Sequence, residues 1–190
     1  FSVRGHRHVC AFTYSFQDAY HAIGHFGAKA ITAGLKVIIV LDQFSPLEIH
    51  NAFILEGLKS QKYLPGCRFV RFDEVYMPNG ALSLNYTINE LEKLYKQALA
   101  EGYRGVYRFT DMSWIVNGLP EHIQQMLLFE NRVSLQGDIA NIINFSFYDV
   151  HHFDGSLMLD VLALHPTIVI NKELTKNPFY LGESEYIRTY

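Results

Sequence analysis

The stretch HVCAFTYSFQDAYHAIGHFGAKAITAGLKVIIVL, residues 8–41, decides the fold of this chain. In the stretch KVIIVL, residues 36–41, Lys36 is followed by a continuous apolar run rich in β-branched side chains, which is typical of a strand buried on both faces. Residues 8–13 predict another short strand, and residues 15–33 between the two predict a helix. A strand, a helix and a strand in this order predict two parallel strands joined by a right-handed crossover.

The rest of the chain repeats this alternation of strands and helices. Strands are predicted over residues 67–72 and 105–110, within residues 139–148, and over residues 167–170, the last of these being the final strand. Helices are predicted to begin after the cap Ser45, after a cap at Thr87, at Pro120 and at Ser156. Thr87 is predicted as a cap because TINE, residues 87–90, has the form of a capping box. The alternation predicts an α/β domain with a mainly parallel sheet and helices on both faces.

The composition indicates a globular protein. The chain has 190 residues, of which 49% are hydrophobic and 18% charged, and its net charge is −3. We expect one domain over residues 1–181 and a polar tail or linker over residues 182–190. There is no basic excess and no apolar run long enough to span a bilayer, so we expect neither direct nucleic-acid binding nor a membrane segment. Two cysteines and the lack of a hydrophobic leader favour a cytoplasmic protein.

The loop after the first strand excludes the common nucleotide-binding motifs. It reads TYSFQD, residues 13–18, without the glycines and the lysine of a phosphate-binding loop. Asp18 in this loop would repel a phosphate group. The dinucleotide motif G-x-G-x-x-G does not occur in the chain either. We therefore expect neither ATP nor NAD as a cofactor.

The carboxyl ends of the predicted strands provide candidate ligand contacts. Ligands of parallel sheets bind beyond these ends. Tyr14 follows the first strand, Asp111 and Trp114 follow the strand over residues 105–110, and Tyr148 ends the strand over residues 139–148. We expect the aromatic side chains to form walls of a pocket.

His8 and Cys10 alternate along the first strand, together with His6, and therefore share one face of it. Imidazole and thiolate groups bind zinc, iron or copper, so His8 and Cys10 are candidate metal ligands. A transition metal or a metal-containing cofactor is one interpretation of this pair. The other is that Cys10 is a small core residue and the histidines are partly exposed.

Further polar residues stand in apolar surroundings. Glu130 follows three apolar residues, and a structural pair with an arginine such as Arg108 is favoured over a catalytic role. His165 precedes a predicted strand, where a histidine caps or packs more often than it catalyses. His21 and His25 share a helix face but lack the glutamate of a metalloprotease motif, so we expect them to be surface or packing residues.

The chain resembles the MEDS family, the methanogen/methylotroph sensory domains typified by a dichloromethane-responsive repressor. The resemblance covers residues 8–180 and rests on short motifs whose order and spacing together are specific. These motifs are HVC (8–10), GLK (34–36), RFTDMSW (108–114), FE (129–130), FYD (147–149), HP (165–166) and NPFY (177–180).

The resemblance implies a prokaryotic sensor module of transcription regulators and sensor kinases that responds to simple hydrocarbon derivatives. It also implies a RecA/KaiC-like three-layer sandwich that has lost its phosphate-binding loop. The His and Cys motif of the family corresponds to His8 and Cys10. A second cysteine of many family members is replaced here by Ser146, which argues against a site with two thiolates.

Three functions are consistent with these observations. The leading hypothesis is a sensor for a small hydrocarbon derivative, a C1 compound or a cofactor. The candidate ligand contacts are His8, Cys10, Tyr14, Arg108, Asp111, Trp114, Glu130, Tyr148 and His165. The ligand would act on an output domain, a regulatory partner protein or a second copy in a homodimer. The alternatives are a metal- or thiol-dependent enzyme using His8 and Cys10, and a protein-interaction module that keeps an ATPase-like shape.

Overall fold

The computed structural model describes residues 7–59, 63–115, 120–136 and 141–181. The strands are β1 His8–Thr13, β2 Lys36–Leu41, β3 Cys67–Arg71, β4 Val106–Asp111, β5 Ile142–Asp149, β6 Thr167–Ile170 and β7 Glu173–Lys176. The α-helices are α1 Phe16–Thr32, α2 Pro46–Leu55, α3 Phe72–Tyr76, α4 Leu84–Ala100, α5 Pro120–Gln136 and α6 Gly155–Leu164. The predicted tail over residues 182–190 and the candidate residue His6 lie outside the described residues.

The strands form one sheet in the order β3-β2-β4-β5-β1-β6-β7. Each neighbouring pair is parallel except β6 and β7, which are antiparallel. This confirms the predicted α/β class with a mainly parallel sheet. Strands β4, β5 and β1 lie at the centre, where both faces of the sheet are buried.

The predicted caps of the first two helices are present. The Ser15 hydroxyl accepts a hydrogen bond from the Asp18 amide at the start of α1, and the Ser45 hydroxyl accepts one from the Glu48 amide at the start of α2. Each bond pairs an amide that the first helical turn leaves without a partner. Gly34 follows α1 with a φ of 74°, a left-handed conformation that glycine adopts without strain.

The predicted cap at Thr87 is wrong. Helix α4 begins one turn earlier, at Leu84. Thr87 is buried inside its first turn, where its hydroxyl donates a hydrogen bond to the Ser83 carbonyl. The extra turn lets Leu84 and Ile88 pack against the core, so tertiary packing outweighs the local capping signal.

The strand over residues 167–170 is not the final one, because β7 pairs with it as a short hairpin. The turn is formed by Asn171 and Lys172, which have φ values of 50° and 62°. Positive φ at both central residues is typical of a tight two-residue hairpin turn. The sequence signal is weak because lysine replaces the usual glycine at the second position.

Different helices cover the two faces of the sheet. Helices α1 and α2 pack on the face that carries Val37, Ile39, Phe109 and Phe145. Helices α3, α4, α5 and α6 cover the opposite face, to which Cys10, Ile38 and Tyr148 point. The result is a three-layer arrangement with two separate hydrophobic cores. Among the described residues, no helix has the length and apolar character needed to cross a membrane.

A close backbone approach at Gly105 leads to a stability prediction. A Cβ atom at this position would lie 2.3 Å from the Asn141 carbonyl oxygen, which accepts the Val106 amide at the start of β4. We expect Gly105→Ala to lower the free energy of unfolding by about 1 to 3 kcal/mol, measured by urea denaturation. The matched control is Gly155→Ala in α6, where nothing lies within 4 Å of the new Cβ. Equal stability of the two variants would contradict the close approach.

Candidate functional site

The central strands carry two rows of polar side chains on the face covered by α3 to α6. The strand register places the members of each row side by side across β4, β5 and β1. The first row is Arg108, Asn144 and His8, and the second row is Thr110, Ser146 and Cys10. Each of these residues is at most 8% exposed. Strands buried on both faces are normally apolar, so this surface, here called the polar face, requires a separate explanation.

Glu130 of α5 lies over the polar face and connects several of its side chains. Its Oε2 atom lies 2.5 Å from His8 Nε2 and 3.3 Å from His165 Nε2. The Ser146 hydroxyl donates to the same oxygen at 3.3 Å. The ring centroids of His8 and His165 are 3.9 Å apart. The expected pair of Glu130 with Arg108 is not formed, because α6 and β1 place the two histidines against the carboxylate instead.

Burial determines the protonation of this cluster. Burial first, and then the charge of His165, lower the pKa of His8 to about 4, so His8 is neutral at neutral pH. Its Nε2–H can then donate to the Glu130 carboxylate. Burial alone would raise the pKa of Glu130, but the two histidines outweigh it and hold that pKa below its usual range. Glu130 is therefore ionised at neutral pH although its side chain is buried.

Seven buried side-chain atoms on and above the polar face have no hydrogen-bond partner among the described residues. They are Tyr76 Oη, Arg108 Nε, Thr110 Oγ1, Trp114 Nε1, Asn144 Oδ1, Tyr148 Oη and His165 Nε2. One unpaired buried polar group costs about 1 to 3 kcal/mol. Together these atoms would cost on the order of 10 kcal/mol, comparable to the whole stability of an ordinary domain. A water molecule or a polar ligand that forms hydrogen bonds with these atoms would remove that cost.

The unpaired atoms are mainly hydrogen-bond donors. Arg108 forms no ion pair with any described carboxylate, although it is only 8% exposed. Burial raises the pKa values of the Tyr76 and Tyr148 hydroxyls, so both keep their protons. Tyr76 lies near Thr110 and Tyr148 lies near Ser146, but neither pair has hydrogen-bond geometry. The arrangement suits a ligand that carries hydrogen-bond acceptor oxygens.

A metal ion could be shared by His8, Glu130 and His165. Their ligand atoms lie within 4.8 Å of one another, and all three side chains are buried. Cys10 was expected as a metal ligand together with His8. Among the described residues, however, the group that could hold an ion does not include it. Burial raises the pKa of the Cys10 thiol far above its ordinary value, which keeps it protonated and therefore weak as a nucleophile and as a metal ligand.

The Cys10 environment predicts low thiol reactivity. We expect iodoacetamide at neutral pH to leave Cys10 unmodified in the native protein for hours, because the thiol is fully buried and protonated. Cys67, which is partly exposed, serves as the internal control and is expected to react at least as fast. Peptide mass spectrometry of native and urea-unfolded samples measures both rates. Preferential alkylation of native Cys10 would instead indicate an activated thiol.

The structure brings seven of the predicted contacts to the polar face and leaves two elsewhere. Tyr14 is 73% exposed in the loop between β1 and α1. Asp111 is buried, but its carboxylate accepts hydrogen bonds from the amides of Gln43 and Ser113. Asp111 thereby connects the loop after β2 to the end of β4, and its role is structural.

The loop between β1 and α1 is held by hydrogen bonds to Asp18. The Asp18 carboxylate accepts hydrogen bonds from the Tyr14 amide and the Ser15 hydroxyl. A side chain of the first turn of α1 thus pairs with two donors of the loop that precedes the helix.

Three site residues were missed by the sequence reasoning, namely Thr110, Asn144 and Tyr76. Thr110 and Asn144 alternate with large apolar residues in strands that are otherwise buried. A polar residue at every second position of a central strand was the available signal. Tyr76 lies in the short helix α3, and its contact with the Trp114 ring, at a centroid distance of 5.4 Å, has no counterpart in the sequence pattern.

The remaining candidate features lie apart from the polar face. His21 contacts Gln17, and His25 contacts Lys29 and Glu56, as expected of histidines near the surface of a helix. A groove of about 580 Å³ is lined by residues that include Phe26, Tyr107 and Ile143. Tyr107 and Ile143 belong to the opposite core, so this groove does not reach the polar face.

Comparisons with known proteins agree with this architecture. The family model for the methanogen/methylotroph, DcmR sensory domain (MEDS) matches residues 7–166. Two similar solved structures are the uncharacterized protein PH0321 of Pyrococcus horikoshii, solved with an unknown peptide, and the flagellar accessory protein FlaH of Methanocaldococcus jannaschii. PH0321 has a TM-score of 0.62 at 13% identity, with 87% of this chain and 77% of that chain covered. FlaH has a TM-score of 0.56 at 11% identity, with 90% and 75% covered.

At these identities the likeness to the two solved structures concerns the fold, which is RecA-like. The search of curated protein sequences gave no significant match.

Proposed function

The chain belongs to the MEDS family of sensory domains, and we propose that it senses a small organic compound held on the polar face between the central strands and helix α5. The observation that carries this proposal is the set of seven unpaired buried polar atoms. Native interiors contain few such atoms, and those that occur cluster at functional sites. Family membership supports a sensory role, and the unpaired atoms support a place for the ligand.

The chemistry of the polar face indicates the class of ligand. The donors of Arg108, Trp114 and Tyr148 suit an acceptor oxygen, such as a carbonyl or carboxylate group. Around them stand Met112 and Phe129, which are fully buried apolar side chains. A small hydrocarbon derivative or C1 compound with one oxygen-bearing end, or a cofactor that carries such a group, would satisfy both parts.

The position of Glu130 suggests how binding is transmitted. Glu130 lies on α5, which covers the polar face and contacts α6. A ligand that pairs with the central strands and changes the contacts of Glu130 would favour one position of α5 over another. An output domain, a regulatory partner or a second copy of the chain would detect that change. The chain would thereby act in signal transduction or transcription regulation in a prokaryotic cytoplasm.

The proposal is tested by thermal unfolding of the purified protein with a panel of C1 compounds, short-chain carboxylates, alcohols and haloalkanes, and tetrapyrroles. A ligand present at 100 times its Kd stabilises the folded state by about 2.7 kcal/mol. We expect at least one member of the panel to stabilise the protein in this way. A complete absence of stabilisation across the panel would count against a sensing role at this site.

Tyr148 provides a matched pair of variants. We expect Tyr148→Phe to leave the ligand-free protein folded and equally stable, because its buried hydroxyl has no hydrogen-bond partner. The same substitution should weaken binding of the active compound about tenfold, which isothermal titration calorimetry measures. Tyr107→Phe is the control, since Tyr107 is also buried but packs on the opposite face. If both variants bind alike, the hydroxyl does not contact the ligand.

A further inference from the structure

The tautomer of His165 leaves a lone pair facing a carboxylate. His165 Nδ1 lies 2.7 Å from the Val161 carbonyl oxygen, which can only accept a hydrogen bond. Nδ1 therefore carries the proton, and in a neutral ring Nε2 is an unprotonated acceptor. That atom lies 3.3 Å from Glu130 Oε2 and has no hydrogen-bond partner among the described residues. The two acceptors repel each other at this distance unless a cation, either a proton on Nε2 or a metal ion, lies between or beside them.

The surroundings match those of a metal-binding histidine. Such histidines usually donate the second ring N–H to a backbone carbonyl or a carboxylate, which fixes the ring and directs the other nitrogen at the ion. His165 has this arrangement through Val161, and Ser146 donates a hydrogen bond to the carboxylate of Glu130. Both contacts are of the supporting kind that orients metal ligands.

We propose that His8 Nε2, His165 Nε2 and a Glu130 carboxylate oxygen bind one divalent transition-metal ion, such as zinc or iron(II). The ion would replace the proton that His8 Nε2 donates to Glu130 in the metal-free protein, with the ring proton of His8 on Nδ1 instead. Two imidazoles and one carboxylate are a known ligand set for both ions. Bonds of about 2.1 Å separate neighbouring ligand atoms by roughly 3.0 to 3.4 Å in tetrahedral or octahedral sites. The three atoms lie within 4.8 Å of one another, so small side-chain rotations suffice.

The site deepens the proposed function and rests on it, since the ion would lie on the polar face where the organic compound is proposed to bind. Three protein ligands leave at least one position of the ion open. An oxygen-bearing compound oriented by Arg108 and Tyr148 could occupy that position, which gives the ion a direct role in recognising the compound.

The experiment is a titration of the chelator-treated full chain with cobalt(II) and zinc(II), followed by calorimetry and by the absorption spectrum of the cobalt form. We expect one ion per chain and ligand-field bands of nitrogen and oxygen ligands, without a thiolate-to-cobalt charge-transfer band. Glu130→Gln and His165→Gln should each weaken binding by at least about 100-fold, somewhat more than the loss of a supporting contact. Magnesium, which prefers oxygen ligands, should not compete.

Cys10→Ser is the matched control, because Cys10 is the fully buried neighbour that the sequence suggested as a ligand. This variant should bind cobalt like the wild type. A thiolate charge-transfer band, or loss of binding in Cys10→Ser, would overturn the proposed ligand set. No uptake of either ion by the wild type would overturn the metal site altogether, whatever the folding of the variants.

The ligand panel distinguishes this failure from failure of the sensing proposal. Stabilisation of the wild type by an organic compound without metal uptake would refute the ion and leave sensing intact. Metal uptake without a response to any compound would support the ion and contradict the organic ligand.

Discussion

Replacement of Arg108 by Met should strongly weaken ligand binding while leaving the ligand-free protein at least as stable as the wild type. Arg108 is only 8% exposed, its Nε is unpaired, and no described carboxylate forms an ion pair with it. Removing a poorly compensated buried charge is neutral or stabilising, so we expect a gain of zero to about 2 kcal/mol. We also expect at least about a 100-fold loss of affinity for the active compound, because charge-assisted hydrogen bonds are the strongest available there.

Lys36→Met is the control for this prediction. Lys36 is a comparably buried cation in β2, at 7% exposure. Its ammonium is fully engaged, with hydrogen bonds of 2.7 Å to the Pro65 carbonyl and to Glu101. Its loss should lower the free energy of unfolding by about 1 to 3 kcal/mol and leave ligand affinity unchanged. If Arg108→Met is as destabilised as Lys36→Met and still binds the compound, Arg108 is structural.

The second large effect concerns Glu130. We expect Glu130→Ala to lower the free energy of unfolding by about 3 to 5 kcal/mol in urea denaturation. The substitution removes the hydrogen-bond partner of His8 and Ser146 and leaves a cavity in a fully buried region.

An exposed glutamate in a helical ion pair provides the comparison. Glu92 pairs with Lys96 on the surface of α4, and Glu92→Ala should change the stability by less than about 0.5 kcal/mol. A loss below about 1 kcal/mol in Glu130→Ala would show that the buried cluster contributes little to folding.

The fold could be predicted from sequence because its signals are local. The strand over residues 36–41, apolar from Val37 onward, and the caps Ser15 and Ser45 depend only on neighbouring residues, and the structure has all three as expected. The failures occurred where tertiary contacts decide. Thr87 is a good cap by type, but packing extends its helix by one turn.

The candidate site could be predicted only in part. His8 and Cys10 follow from alternation along the first strand, and Tyr148 follows from its position at the end of a predicted strand. Arg108 was expected as a partner of Glu130, and the structure places all four on one face of the sheet. Strand order could not be derived from the sequence, so the meeting of Arg108, Asn144 and His8 in one row was not foreseeable. The position of Glu130 depends on how α5 packs over three strands that are distant in sequence. Such long-range placement leaves no periodic signal.

The most direct test of ligand binding on the polar face is a crystal structure of the protein grown with the most stabilising compound of the panel. We predict electron density for one non-water molecule in contact with Arg108, Trp114 and Tyr148, with its oxygen atoms paired to their donors. A closed interior in which these side chains bond only to one another or to ordered water would contradict the proposed sensing site.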